Sequence, residues 1–199
     1  MVTTSQIIST AALLDGRHTV GLDQTGLSQK AGPVVSDLTI SDSPRIASNK
    51  AAAGTVDLLL GLDVLGSGTE MTLASTEPGR SVAVVSTTRT PTGRMVSDVS
   101  ASWPETASFE RGLEERLGRG RVHWVDAEQV VRDLFGSASV LNLFMVGAAF
   151  QLAALPVSAA SLERAITVQR CRRPGEHRRV PGRASVGVRS SGARPTALR

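Results

Sequence analysis

In Val56–Thr87, VDLLLGLDVLGSGTEMTLASTEPGRSVAVVST, two unbroken apolar runs flank a short periodic segment. Val56–Asp63 and Ser81–Thr87 each read as a strand covered on both faces, because neither alternates polar with apolar residues. Glu70–Ser75 between them is predicted to be a short helix. Strand, helix and strand in that order make a right-handed crossover between parallel strands. Downstream the pattern continues. Glu105–Leu117 is an amphipathic helix, with Phe109, Leu113 and Leu117 spaced by four and Arg111 and Glu114 turned outward. Val122–Asp126 is the next strand, and Asp126 caps a helix over Ala127–Phe135. Ser139–Leu155 is an apolar helix stopped by Pro156, and Ser158 caps a last helix from Ala159 to Thr167. Upstream, Ser5–Leu14 places Ile7, Ile8, Ala11 and Leu14 on one helical face and stops at Asp15-Gly16. Thr19–Leu22 and Val34–Ile40 are strands, and the Ala-rich Ile46–Ala53 is predicted helical. The fold class is α/β: a three-layer α/β/α domain with a mostly parallel sheet.

Composition narrows the function classes. With 199 residues, 41% of them hydrophobic, the chain can bury one real core, and 3% aromatics with no Tyr means a core of Val, Leu, Ile and Ala. The net charge of +4 is misplaced for a nucleic-acid partner. Cys171–Arg199 holds eight Arg, one Glu and no Lys, contributing +7, so residues 1–170 carry −3. A nucleic-acid surface needs its basic groups spread over a folded face, preferably with aromatics between them. The single cysteine, Cys171, allows neither an internal disulfide nor an iron–sulfur cluster, which takes about four protein ligands. That usage fits a reducing, cytoplasmic setting. The start MVTTSQIIST has no signal-peptide character, and Val140–Leu155, interrupted by Asn142 and Gln151, is shorter than the about 20 residues of a membrane span. The body is expected to be soluble, with no membrane partner.

Two segments divide the chain: residues 1–168 form the domain, and residues 169–199 an Arg-, Pro- and Gly-rich tail without apolar period, expected to be disordered. A codon string that encodes Gln169–Gly182 can be chosen which, read one nucleotide later, gives NGAVDPANIAAFRV, in the Ala-rich style of the body. The tail is therefore read as an out-of-frame end.

The main candidate for chemistry is Gly21–Ile40, GLDQTGLSQKAGPVVSDLTI, in which Gln24, Thr25, Ser28, Gln29 and Lys30 sit among Gly26, Gly32 and Pro33. Glycines let the backbone approach a partner, Thr25 and Gln29 supply neutral hydrogen bonds, and Lys30 is a point charge suited to a diphosphate or carboxylate. Thr25, Gly26, Gln29 and Lys30 are the candidate cofactor-binding residues, on a loop facing either a cofactor or a neighbouring domain. Equally, these groups can satisfy one another. Lesser candidates read as structural. His123 lacks a second ligand at metal spacing, Asp57 and Asp63 read as strand-end caps, and Gly66–Thr69 (GSGT) is a weak phosphate cradle without GxGxxG. His177 and Cys171 fall in the tail. No residue is assigned a catalytic or metal-ligating role.

The loop and its flanks resemble the "LDxTGLAQKGGAVxSHxxI" signature of the γ domain of the indolepyruvate ferredoxin oxidoreductase family, a branch of the 2-oxoacid:ferredoxin oxidoreductases. DLLLGLDVLGSG (Asp57–Gly68), AVVSTTRTPTG (Ala83–Gly93), VHWVDA (Val122–Ala127), NLFMVGAAFQ (Asn142–Gln151) and LPVSAASLERAI (Leu155–Ile166) follow in order, so the resemblance spans about residues 2 to 166. It implies a part in oxidative decarboxylation of an aryl 2-oxo acid to acyl-CoA. The parent complex would use thiamine diphosphate, magnesium, an iron–sulfur cluster and CoA, with ferredoxin as electron partner and the other domains or subunits as neighbours. It also implies a first strand and a GxGGTG-type turn before Val2-Thr3-Thr4, which are missing here. On this reading the chain is a fragment or subunit inactive alone. Two alternatives are a stand-alone binding or regulatory module docking on oxidoreductase subunits, and a Rossmann-like nucleotide-binding protein using the Ser5 helix.

Overall fold

The computed structural model describes residues 2–25, 34–91, 95, 103 and 105–171. In chain order these form α1 (Val2–Leu14), β1 (His18–Thr25), β2 (Val34–Ser41), β3 (Leu58–Gly61), α2 (Val64–Ser67), α3 (Glu70–Ser75) and β4 (Val82–Ser86). There follow α4 (Thr106–Leu117), β5 (Val122–Val125), α5 (Ala127–Phe135), α6 (Leu141–Gln151) and α7 (Ala159–Cys171), with 3-10 turns at Arg119–Arg121 and Ala138–Val140.

The centre is a parallel sheet in the order β3-β4-β5. Leu58 pairs with Val82 and Gly61 with Val85 on one side of β4, and Ala83 with Val122 and Ser86 with Val125 on the other. Because successive side chains of a strand point to opposite faces, Ala83, Val84 and Val85, all fully buried, divide between two clusters. Val84 joins Ile7, Ile8 and Ala11 of α1, Val131 of α5, Met145 and Val146 of α6, and Leu162 and Ala165 of α7. Ala83 and Val85 meet Leu113 and Leu117 of α4, with Leu73 and Trp124 at the margin. Helices therefore cover both faces, and the domain is α/β as its strand and helix order implies.

The other sheet is separate. β1 and β2 pair antiparallel from His18↔Ser41 to Thr25↔Val34, and Leu38 and Ile40 pack on the first cluster. Residues 26–33, which join β1 to β2 in sequence, lie outside the described residues.

Three local expectations are corrected. Ile46–Ala53 is not helical: Ser48 accepts from Lys50 N and donates to Lys50 O, and Thr55 Oγ1 donates to Ala52 O at 2.8 Å. Its alanines are mostly exposed, so helix formation would gain no packing, while serine offers the backbone competing bonds. The helix expected to run to Leu155 ends at Gln151, in a turn where Ala154 N donates to Ala149 O at 3.0 Å and Ala153 N to Phe150 O at 2.9 Å. Glu114, expected to face outward, accepts from Trp124 Nε1 at 3.2 Å, so it joins α4 to β5. The expected helices Glu70–Ser75 and Ala127–Phe135 are found with those bounds, and α7 extends the last one to Cys171. The tail beyond Cys171, read as disordered, lies outside the described residues.

Candidate functional site

The hairpin stem carries the candidate loop. Its base is fixed to α1 by a 2.7 Å hydrogen bond between the Ser9 and Thr19 hydroxyls. Further out, Ser36 Oγ donates to Asp23 Oδ1 at 2.5 Å, and Gln24 Nε2 donates to Asp37 Oδ2 at 2.9 Å. Asp23 and Ser36 are directly opposed in register, whereas Gln24 and Asp37 are diagonal neighbours on the other face. Both faces of the stem are tied by polar rungs as far as Gln24, and Thr25 closes the ladder opposite Val34. Gly26, Gln29 and Lys30 lie outside the described residues, as does the Thr25 side chain. Asp23 with Ser36 and Gln24 with Asp37 satisfy one another, which either reading of the loop requires of its support.

At the carboxyl ends of the parallel strands, where open α/β sheets bind ligands, several of the described polar groups are engaged. Asp63 caps α2 by accepting from Gly66 N at 2.7 Å, and Ser67 Oγ donates to Asp63 O at 2.6 Å. Thr69 caps α3, accepting from Thr72 N at 3.3 Å. The GSGT segment is therefore two consecutive helix caps, with an Asp carboxylate standing where a phosphate would. Ser86 and Thr88 share a 2.7 Å hydroxyl contact, Thr87 N donates to Val125 O at 2.9 Å, and Asp126 accepts from Gln129 N at 3.4 Å.

The remaining candidates fall apart in space. Asp57 pairs with Arg80 at 2.6 Å, a contact that raises the guanidinium pKa first by its hydrogen bond and then by its charge. His123 sits on the edge strand β5 in register with Val84, and no group of three or more His, Cys, Asp or Glu at metal-binding separation occurs among the described residues. An open groove of about 480 Å³ between α3 and α4 is lined by Gly68, Glu70, Leu73, Ala74 and Arg116, with Arg116 Nη2 held on Thr76 O at 2.7 Å.

Sequence reasoning missed one polar cluster. Asp15, just past α1, accepts from Ser158 N at 2.6 Å, Ser158 Oγ at 2.7 Å and Ser161 Oγ at 2.5 Å. The Ser161 hydroxyl, then the Ser158 amide and hydroxyl, with Arg17 adding a charge, hold its carboxyl below the ordinary value of 3.8. Nothing local signals a bond across more than 140 residues.

With the two sheets in place, the chain can be compared with known families. Residues 1–176 match the family model described as pyruvate ferredoxin/flavodoxin oxidoreductase. The chain belongs to that family. No curated protein matches it. The matched span takes in the hairpin, the connection 26–33 and the whole parallel sheet. Enzymes of this family are associated with thiamine diphosphate and iron–sulfur clusters, and their domains work within larger oxidoreductases. One cysteine cannot hold an iron–sulfur cluster, and among the described residues Asp63 and Asp126 are occupied as helix caps. No helix among the described residues is long and apolar enough to cross a membrane.

Proposed function

We propose that the chain is the γ-type domain of an indolepyruvate-type 2-oxoacid ferredoxin oxidoreductase, inactive alone and acting by bracing the reaction centre of its partner domains. One observation carries this reading: among the described residues Asp63, Thr69 and Asp126 at the sheet's carboxyl ends are engaged as helix caps, which favours the connection between β1 and β2, with Gln29 and Lys30, as the group offered to a neighbour. A stem tied on both faces supports that role, since a positioned charge acts only if its scaffold is rigid. Thiamine diphosphate, when bound in the parent complex, supplies the carbanion chemistry of decarboxylation. This chain's part is to hold Lys30 and the glycine-flanked backbone against the diphosphate, the substrate carboxylate or the adjoining domain surface, and to keep water out.

The test is reconstitution. The chain alone, given thiamine diphosphate, CoA and ferredoxin, is expected to show no oxidation of indolepyruvate or pyruvate. With thiamine-binding and iron–sulfur subunits it is expected to support turnover, with indolepyruvate preferred. Lys30→Met should then lower kcat/KM by about tenfold or more, as removing a hydrogen bond to a charged group of about 1.5–3 kcal/mol implies. Turnover by the chain alone, or a Lys30→Met complex with unchanged kcat/KM, overturns the reading.

A further inference from the structure

The junction between α6 and α7 contains a conflict between local sequence and observed backbone. Ala153 has φ of 54°, the one positive value among described residues other than glycine. It occupies the left-handed position of a Schellman turn, closed by Ala154 N on Ala149 O and Ala153 N on Phe150 O. Glycine is the usual residue there, because a Cβ strains the left-handed conformation. Leu152, Ala153, Ala154 and Leu155 are all residues that favour continuing the helix, and the first obstacle to doing so is Pro156. The same segment thus has two physically reasonable states: the turn observed here, and a straight α6 that runs to Leu155.

The element beyond the junction is suited to move as a unit. α7 packs chiefly on α1. Leu162 and Ala165 are buried in the cluster with Ile7 and Ile8, and both ends of the helix pair are fastened by side chains. Asp15 holds Ser158 and Ser161 at one end, and Gln169 Nε2 donates to Gln6 Oε1 at 2.7 Å at the other. A straightened α6 carries α7 away from its own α1. The contacts of α7 with α1 can then be regained on the α1 of a second copy, since that surface and both fasteners are the same.

We infer that α7 is exchangeable between two copies of this chain, with Leu152–Pro156 as the hinge, giving a two-fold swapped dimer. Closed monomer and swapped dimer share the α1–α7 contacts and differ at the hinge: relief of the Ala153 strain and the helix-forming segment favour the dimer, whereas burial of Leu155 in the turn and dilution favour the monomer. This inference is independent of the proposed redox role.

The full chain is refolded at low and high concentration and its mass measured by light scattering after gel filtration. The expected result is a dimer whose fraction rises with refolding concentration. Ala153→Gly, which accommodates the turn, should lower that fraction severalfold, and Ala153→Glu, a helix former poorly suited to positive φ, should raise it severalfold. In a Cys171→Ser background, a chain bearing Gln6→Cys refolded with one bearing Gln169→Cys should give a disulfide-linked heterodimer. A folded Ala153→Glu chain that stays monomeric at every concentration overturns the inference, as does a dimer that lacks the Gln6→Cys to Gln169→Cys link. If Ala153→Glu does not fold, the cross-link in the otherwise native chain decides.

Discussion

Gly61 has no room for a methyl group. A Cβ there would run into Ser67 Oγ and lie 2.9 Å from Ser67 Cβ and 3.1 Å from Val85 Cγ1, closer than packed carbon atoms tolerate. Neither neighbour can yield easily, because Ser67 and Val85 are both buried. Gly61→Ala should destabilise the fold by about 1–3 kcal/mol, the usual cost of overpacking, read as a lower urea midpoint with an unchanged slope. Asp15 sets a pH dependence. Its folded-state pKa lies below the ordinary 3.8, so the stability it contributes is present above that value and is lost as pH falls through the folded pKa. Wild type should therefore melt above Asp15→Asn at neutral pH, and the gap should close as the medium is acidified below 3.8. Ser161→Ala, removing the largest cause, should move the carboxyl back toward its ordinary value in an NMR titration.

At the scale of elements, α5 and α6 show what local sequence controls and what it does not. Asp126 accepts from Gln129 N and the helix ends at Gly136 in the left-handed conformation, so both stops of α5 are written within a dozen residues. Asp126→Ala is expected to cost about 0.5–2 kcal/mol, measurable by chemical denaturation. α3 was equally legible, since Thr69 caps it and Thr72 is buried. Ile46–Ala53 was not: its alanines suit a helix, but most of them stay exposed and Ser48 bonds the Lys50 backbone instead. The end of α6 was misread for the opposite reason. Leu152–Leu155 would extend the helix by propensity, and the turn wins because it lets Leu155, Leu162 and Ala165 reach the core.

At the scale of the molecule, the sheet separates two apolar clusters, one around Met145 and one around Leu113. Leu113→Ala and Met145→Ala should each cost about 2–5 kcal/mol, because both side chains are fully buried. The two residues share no cluster, so the double variant should equal the sum of the singles within about 0.5 kcal/mol. A shortfall beyond that in equilibrium unfolding would mean that the clusters relax together through β4. The site shows the same division between local and distant information. The composition of Gly21–Ile40 singled out a candidate loop, and Asp57 and Asp63 could be assigned bland roles, but nothing in the sequence announced that β1 and β2 pair with each other rather than with the parallel strands.

What the sequence by itself determined is local: the unbroken apolar runs that become β3 and β4, the caps at Asp126 and Ser158, the stop at Asp15-Gly16, and a single cysteine that denies the chain a cluster of its own. Tertiary structure alone decided that the hairpin forms its own sheet, that α6 stops short of Pro156, and that Asp15 fastens α7 to α1. The reason is the range of the forces involved. Caps and periodicity act between residues a few positions apart, whereas strand pairing, helix docking and the carboxylate's hydroxyl partners depend on which distant surfaces the buried core brings together.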